Sequence, residues 1–108
     1  MKKFTTISTF FIVFFGQDSD EYGETYQEIV DSAFKIYVED GGHYLDNLIT
    51  NIDDFRQCYP DNESAVVALN ELTDGSVGDT RYHTPTLLGF LEWLSSTLKQ
   101  KRDEHNAR

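Results

Sequence analysis

The chain lacks most of the devices by which small proteins are stapled together or made catalytic. It has one cysteine, Cys58, so no internal disulfide can form, and a single thiol suits a reducing, cytoplasmic compartment. No apolar run approaches the roughly 18 to 20 residues that a membrane-spanning helix needs. A phosphate-cradling glycine loop with its lysine, a dinucleotide fingerprint, a zinc-spaced Cys/His set and a nucleophile elbow are all missing. His43, His83 and His105 are scattered without a local acid-base partner, and Cys58, near the end of an amphipathic stretch, reads as a core residue. Asp53 and Asp54 are neighbours on a helical pattern and point to different sides, so they do not form a carboxylate pair. These absences predict a protein that is not an enzyme and uses no metal or cofactor.

Basic residues are the other shortage. Nine Lys and Arg stand against nineteen Asp and Glu, for a net charge of -10 in 108 residues. The imbalance is local: residues 18 to 79 hold sixteen acids against Lys35 and Arg56 alone, while the segments before and after are slightly basic. Such a field repels nucleic acid and anionic membrane and attracts basic protein surfaces, including those that themselves bind nucleic acid. It also keeps a small domain soluble, which is its commoner role.

Aromatic residues are plentiful, with eight Phe and six Tyr. One compact domain over residues 1 to 108 is expected, of a size that buries roughly two thirds of its unfolded surface. The most apolar stretch, Phe10-Phe11-Ile12-Val13-Phe14-Phe15, is six large residues long and reads as a strand buried on both faces, spanning about residues 4 to 15 and ending at Gly16. Lys2 and Lys3 ahead of it resemble the start of a signal peptide, but a cut after Gly16 would place Phe14 where a small residue is needed, so residues 1 to 16 are expected to be retained. The strand's partner could be residues 4 to 9, the Arg81-Tyr82-His83 segment or a second copy of the chain, which leaves a homodimer open.

Helical periodicity marks the rest. Tyr26, Ile29, Val30, Ala33, Phe34 and Tyr37 form a stripe over about 22 to 39, with Thr25 and Glu28 as a capping box. Leu45, Leu48, Ile49, Ile52 and Phe55 mark 44 to 58 beyond the Gly41-Gly42 stop. Ala65, Val66, Ala68, Leu69 and Leu72 mark 62 to 72, capped by Asp61 or Asn62. Leu87, Leu88, Leu91, Leu94 and Leu98 mark 85 to 102, opened by Thr84-Pro85 and closed by Lys99, Lys101 and Arg102 where a helix end favours cations. One strand and four helices give an α+β, mostly helical fold. Val13 and Leu91 are expected in its core.

Two local resemblances carry little. Asp18-Ser19-Asp20-Glu21-Tyr22-Gly23 resembles the opening of an EF-hand calcium loop, but Tyr22 occupies a ligand place and Ile29 stands where the bidentate Glu is needed. Gly42 to Leu48 resembles the acidic nuclease-binding helix region of barstar over seven residues, without the later strands of that fold.

The functional expectation rests on the acids. If the first helix begins near Glu21, then Glu21, Glu24, Glu28 and Asp31 share its solvent edge, and Asp46, Asp53 and Asp54 lie on the next helix beside it. That surface suits a basic partner such as a nuclease, a polymerase or a CRISPR-type complex. An inhibitor of the counter-defence, DNA-mimic or nuclease-immunity kind is therefore expected, and anti-CRISPR proteins belong to that class. A generic interaction or dimerisation module using the Phe-rich segment or Trp93 is the alternative, and a secreted protein cut after residue 16 is a third reading.

Overall fold

The computed structural model describes residues 4–16, 19–39 and 41–106. Five helices follow one another: α1 (Thr5–Phe15), α2 (Tyr26–Glu39), α3 (His43–Cys58), α4 (Asn62–Thr73) and α5 (Leu87–Asn106), with short 3-10 turns at Ser19–Glu21 and Thr80–Tyr82. No strand occurs among the described residues. The fold is all-helical, and the α+β expectation with its N-terminal strand is overturned: residues 5 to 15 are a helix.

The reason lies in which side chains of the Phe-rich segment are hidden. Phe4, Ile7, Ser8, Phe10, Phe11 and Phe14 are buried, whereas Ile12 and Val13 are 42% and 40% exposed. Steps of three and four trace one helical face, while a strand would have hidden alternate residues. Val13 is thus a surface residue and not the core residue its apolar surroundings suggested. A helix closes its own backbone hydrogen bonds, so the pairing partners sought for a strand are not needed. Arg81 and Tyr82 instead lie in the second 3-10 turn.

The start of α1 has no local cap: Phe4 offers no side-chain acceptor. Asn51 of α3 supplies one, its Oδ1 accepting the Ile7 N–H at 2.9 Å. Phe4 packs edge-on against Phe55 with ring centroids 5.2 Å apart. From Phe4 to Ile7, α1 therefore passes α3 from Phe55 back to Asn51, and the two are antiparallel. At the other end, Gly16 passes so close to Ile12 that a Cβ on it would come within 2.3 Å of the Ile12 carbonyl oxygen.

The other helices begin and end by local chemistry. Thr25 Oγ1 accepts the Glu28 N–H at 3.2 Å, and Glu28 reaches back to the Glu24 N–H at 3.3 Å, so the capping box starts α2 at Tyr26. Gly41 and Gly42, at φ 97° and 83°, turn the chain into α3, and the Gly42 N–H returns to the Tyr37 carbonyl at 3.1 Å. Asp61 caps α4 by accepting the Ser64 N–H at 3.0 Å. The cap of α5 is Thr86, which accepts the Gly89 N–H at 3.0 Å, two residues beyond the predicted Thr84. Thr84-Pro85 lies ahead of the helix with a cis peptide bond. The far end of α5 continues to Asn106, past the expected end at residue 102.

Around α1 the core is one aromatic and aliphatic cluster. His83 sits inside it, its imidazole stacked on Tyr26 at 5.8 Å and flanked by the rings of Phe11, Phe15 and Phe90. Its Nδ1 lies 3.2 Å from the Thr80 carbonyl oxygen. Burial pushes its pKa below the ordinary 6.5 and outweighs the Thr80 hydrogen bond, which pushes it up. Cys58, in contrast, is exposed and not the core residue expected.

Two measurements check this arrangement. Phe11 and Val13 would share a face in a strand but diverge in a helix. Phe11→Asp is expected to abolish the cooperative melt, as is Leu91→Asp, because an unpaired buried carboxylate costs several kcal/mol against a total of roughly 5–15. Val13→Asp is expected to melt with a stability within about 1 kcal/mol of the parent, and unfolding by both α1 variants would restore the strand. In an NMR titration, the His83 ring should change protonation below pH 6.5; a midpoint at or above that value would place it in solvent. Its contribution to stability is present above pH 6.5 and is lost as pH falls through its lowered folded pKa.

Candidate functional site

The structure divides the seven predicted acids into two groups. Glu21 ends the first 3-10 turn, and Glu24 precedes α2, which does not begin until Tyr26. The condition for a four-carboxylate edge on one helix is therefore not met, since only Glu28 and Asp31 belong to α2. Glu21, Glu24 and Glu28 are exposed, and Asp20 beside them is exposed too. No lysine or arginine pairs with these four among the described residues. Glu28 has a local duty, because its carboxylate also lies 3.4 Å from Thr25 Oγ1 within the cap. Of the residues that resemble a calcium loop, Asp18 lies outside the described residues, and Ser19–Glu21 form the 3-10 turn, followed by a turn at Tyr22 leading to Gly23.

The second group faces the chain's own cations. Asp31 is ion-paired with Lys101, Asp46 with Arg102 at 3.3 Å, and Asp53 with Lys99 at 2.8 Å. Asp53 also accepts the Ser95 hydroxyl at 2.7 Å and lies 3.7 Å from Arg56. From Ser95 to Arg102, α5 runs past α3 from Asp53 back to Asp46, so these two helices are antiparallel. Lys101 reaches across to α2, where its ammonium also lies 5.6 Å above the Phe34 ring. Asp54 is partly buried and engaged in its own contact. Asp31 of α2 and Asp46 and Asp53 of α3 are thus each held by a cation of α5, which is laid along both helices.

The electrostatics follow from those contacts. For Asp31, partial burial pushes the pKa up, but hydrogen bonds from Lys101 and Gln27 and the Lys101 charge outweigh it and hold the carboxyl below its ordinary 3.8. For Asp53, burial likewise raises it, and Lys99, Ser95 and Arg56 together bring it below the same value. Lys99, Lys101 and Arg102 were read as helix-end cations only. What the sequence could not show is that two acidic helices lie within their reach.

Elsewhere, Asp79 caps the second 3-10 turn, accepting the Arg81 N–H at 3.0 Å and the Asn70 side chain at 3.1 Å. Asn70 Oδ1 in turn accepts the Thr80 N–H at 2.9 Å, which fixes the loop after α4. Arg81 also pairs with Glu63 at the start of α4. Glu71 and Asp74 are exposed and have no ion-pair partner among the described residues. No group of three His, Cys, Asp or Glu side chains is placed to hold a metal among the described residues, and no described helix is long and apolar enough to cross a membrane.

The triple variant Lys99→Gln, Lys101→Gln, Arg102→Gln should remain folded and lose roughly 1–2 kcal/mol at pH 7, as three exposed pairs are worth. Of the carboxyls concerned, Asp31 and Asp53 have lowered folded pKa values. Their contribution is therefore fully present above 3.8 and is lost as pH falls through the folded values. Urea melts should show the parent and the triple variant converging as pH falls below 3.8. A gap that persists in acid would mean that the cations act by packing alone. No family profile, curated protein or solved structure matches the chain, so its function is argued from its own residues.

Proposed function

We propose that this chain is a non-enzymatic binding protein that works in the cytoplasm and occupies the basic surface of a nucleic-acid-handling protein. A nuclease, a polymerase or a CRISPR-type complex is the kind of partner meant, inhibited as counter-defence, DNA-mimic or nuclease-immunity proteins inhibit theirs. One observation carries the reading. After α5 has neutralised Asp31, Asp46 and Asp53, the exposed carboxylates of Asp20, Glu21, Glu24 and Glu28 still stand together at the α2 entrance with no cation paired to them among the described residues. Unpaired surface charge of one sign repels itself and tends to destabilise the compact state, and it becomes favourable when a cationic surface meets it.

The same division narrows the contact surface. Asp31 and Asp53 already hold a lysine each, so a partner's cation would have to displace it. Glu21 and Glu24 have no such competitor and carry no cap through their carboxylates. Compartment is argued separately: a single exposed thiol is compatible with a reducing cytoplasm.

The experiment is capture of partners from an extract of the native host at low and at high salt. The parent is expected to retain a basic nucleic-acid-handling protein that is released as salt rises. Glu21→Lys with Glu24→Lys should lose it while melting like the parent, and Glu28→Gln, which keeps a hydrogen-bonding group for the cap, should weaken it only partly. Retention of the same partner by the double Lys variant, unaffected by salt, would reject the acidic-surface mechanism.

A further inference from the structure

Of the three histidines, His43 and His105 are exposed and His83 is buried. His83 joins four elements at one point. Its ring stands against Phe11 and Phe15 of α1 at 5.3 and 5.5 Å, Tyr26 of α2 at 5.8 Å and Phe90 of α5 at 4.8 Å, and the residue closes the second 3-10 turn. The Thr80 carbonyl 3.2 Å from Nδ1 can only accept, so Nδ1 carries the hydrogen of the neutral ring and a second proton enters at Nε2. Among the described residues no counter-charge faces that proton. Helix α1 carries no charged residue, α2 presents the Tyr26 phenol, and α5 presents Phe90, with Glu92 exposed. Beside the turn, Arg81 is engaged with Glu63 and Asp79. A protonated His83 is therefore a bare charge inside an aromatic cluster, which the closed structure resists and an opened one does not.

Of the elements that meet at His83, the α2 entrance is the least secured. Tyr22 and Tyr26 are the residues of 20 to 28 that pack on the hydrophobic core, whereas Asp20, Glu21, Glu24, Thr25, Gln27 and Glu28 are exposed. Tyr22 lies 4.6 Å from Phe14, and its carbonyl accepts the Ser32 hydroxyl at 2.7 Å. Tyr26 lies parallel to the His83 imidazole, the two planes 6° apart, with Phe90 at 4.8 Å. One of the two anchors thus rests on a group of the kind that changes charge near neutral pH. Phe11 and Phe90, in contrast, belong to helices with buried residues along their length.

We propose that His83 is a proton-operated latch on the α2 entrance: neutral, it seats Tyr26 and holds residues 20 to 28 in place; protonated, it leaves the aromatic cluster and releases Tyr26, so that the first turn of α2 opens while the rest of the chain stays folded. The latch is a property of the free chain. As control of the acidic surface it rests on the binding reading above, because the segment that opens carries Asp20, Glu21, Glu24 and Glu28. A basic partner would then be held near neutral pH and released in mild acid. Linkage sets the size of the effect. The opened ring titrates at the ordinary 6.5 and the closed ring lower. Closure is therefore at full strength above 6.5, and the open population grows about tenfold for each pH unit below it until the closed ring itself takes the proton.

The test is hydrogen exchange, followed by NMR, on the full chain carrying His43→Gln and His105→Gln, which leaves His83 as its sole histidine. The amides of Glu28 and Ile29, whose N–H groups bond to Thr25, are followed between about pH 7 and 5 and corrected for intrinsic exchange. They are expected to lose protection about tenfold per pH unit below 6.5. Their exchange should be indifferent to low urea, since a local opening exposes little surface, whereas exchange of the buried Ile52 should rise steeply with urea. His83→Phe, which keeps a ring against Tyr26 but takes no proton, should remove the pH dependence. Protection at Glu28 and Ile29 that stays constant across this range would overturn the latch. So would a urea dependence equal to that of Ile52, because the entrance would then open only with the whole chain. The double Gln variant alone decides between these outcomes if the Phe variant fails to fold. Loss of the latch leaves the acidic-surface reading standing, while a working latch with no basic protein captured from extract would sustain the latch and sink the proposed function.

Discussion

Covering one face of α1 is the constraint on which the rest of the structure depends. Phe10, Phe11 and Phe14 are almost wholly removed from water, and burial of side chains of that size is worth roughly 1.5–3 kcal/mol each. Packing against α3 and α4 hides much of that face, while Tyr37 of α2 and Phe90 of α5 close it from the other side. At the start of the helix α3 supplies Asn51 as an acceptor. An apolar segment with no cap of its own is thereby fixed in direction and depth by a residue 44 positions away.

That dependence explains what could and could not be read beforehand. Helices α2 to α4 were legible because each carries its signal within a few residues: Thr25 with Glu28, Gly41 with Gly42, Asp61 ahead of Ala65 and Val66. The first element was misread because six large apolar residues in a row conceal their period. Only the exposure of Ile12 and Val13 shows that the buried set follows helical steps. Its cap is distant, so no local residue could announce a helix. Thr86 was passed over in favour of Thr84 because Pro85 in a first helical turn is the commoner pattern. The acidic character of the site was visible in composition, but its geometry was not. Glu21 and Glu24 fall outside α2, and the pairing of Asp31, Asp46 and Asp53 with α5 requires the fold.

Charge is consequently partitioned and not merely accumulated. The three cations near the end of α5 hold three carboxylates of α2 and α3, contributing stability of the modest size usual for exposed pairs. Exposed acids without an ion-pair partner among the described residues include Asp20, Glu21, Glu24 and Glu28 at the α2 entrance and Glu71 and Asp74 at the end of α4. A basic partner would meet these surfaces without displacing an internal lysine, which is the physical basis of the proposed binding role.

Carbodiimide footprinting of the free protein, read residue by residue by mass spectrometry, tests this partition most directly. Glu21, Glu24 and Glu71 are expected to label rapidly and Asp31 and Asp53 slowly, with the two aspartates accelerating when Lys99 and Lys101 are replaced by Gln. Equal labelling of all five, unchanged by those replacements, would show that α5 does not hold the acidic edge and would contradict the account.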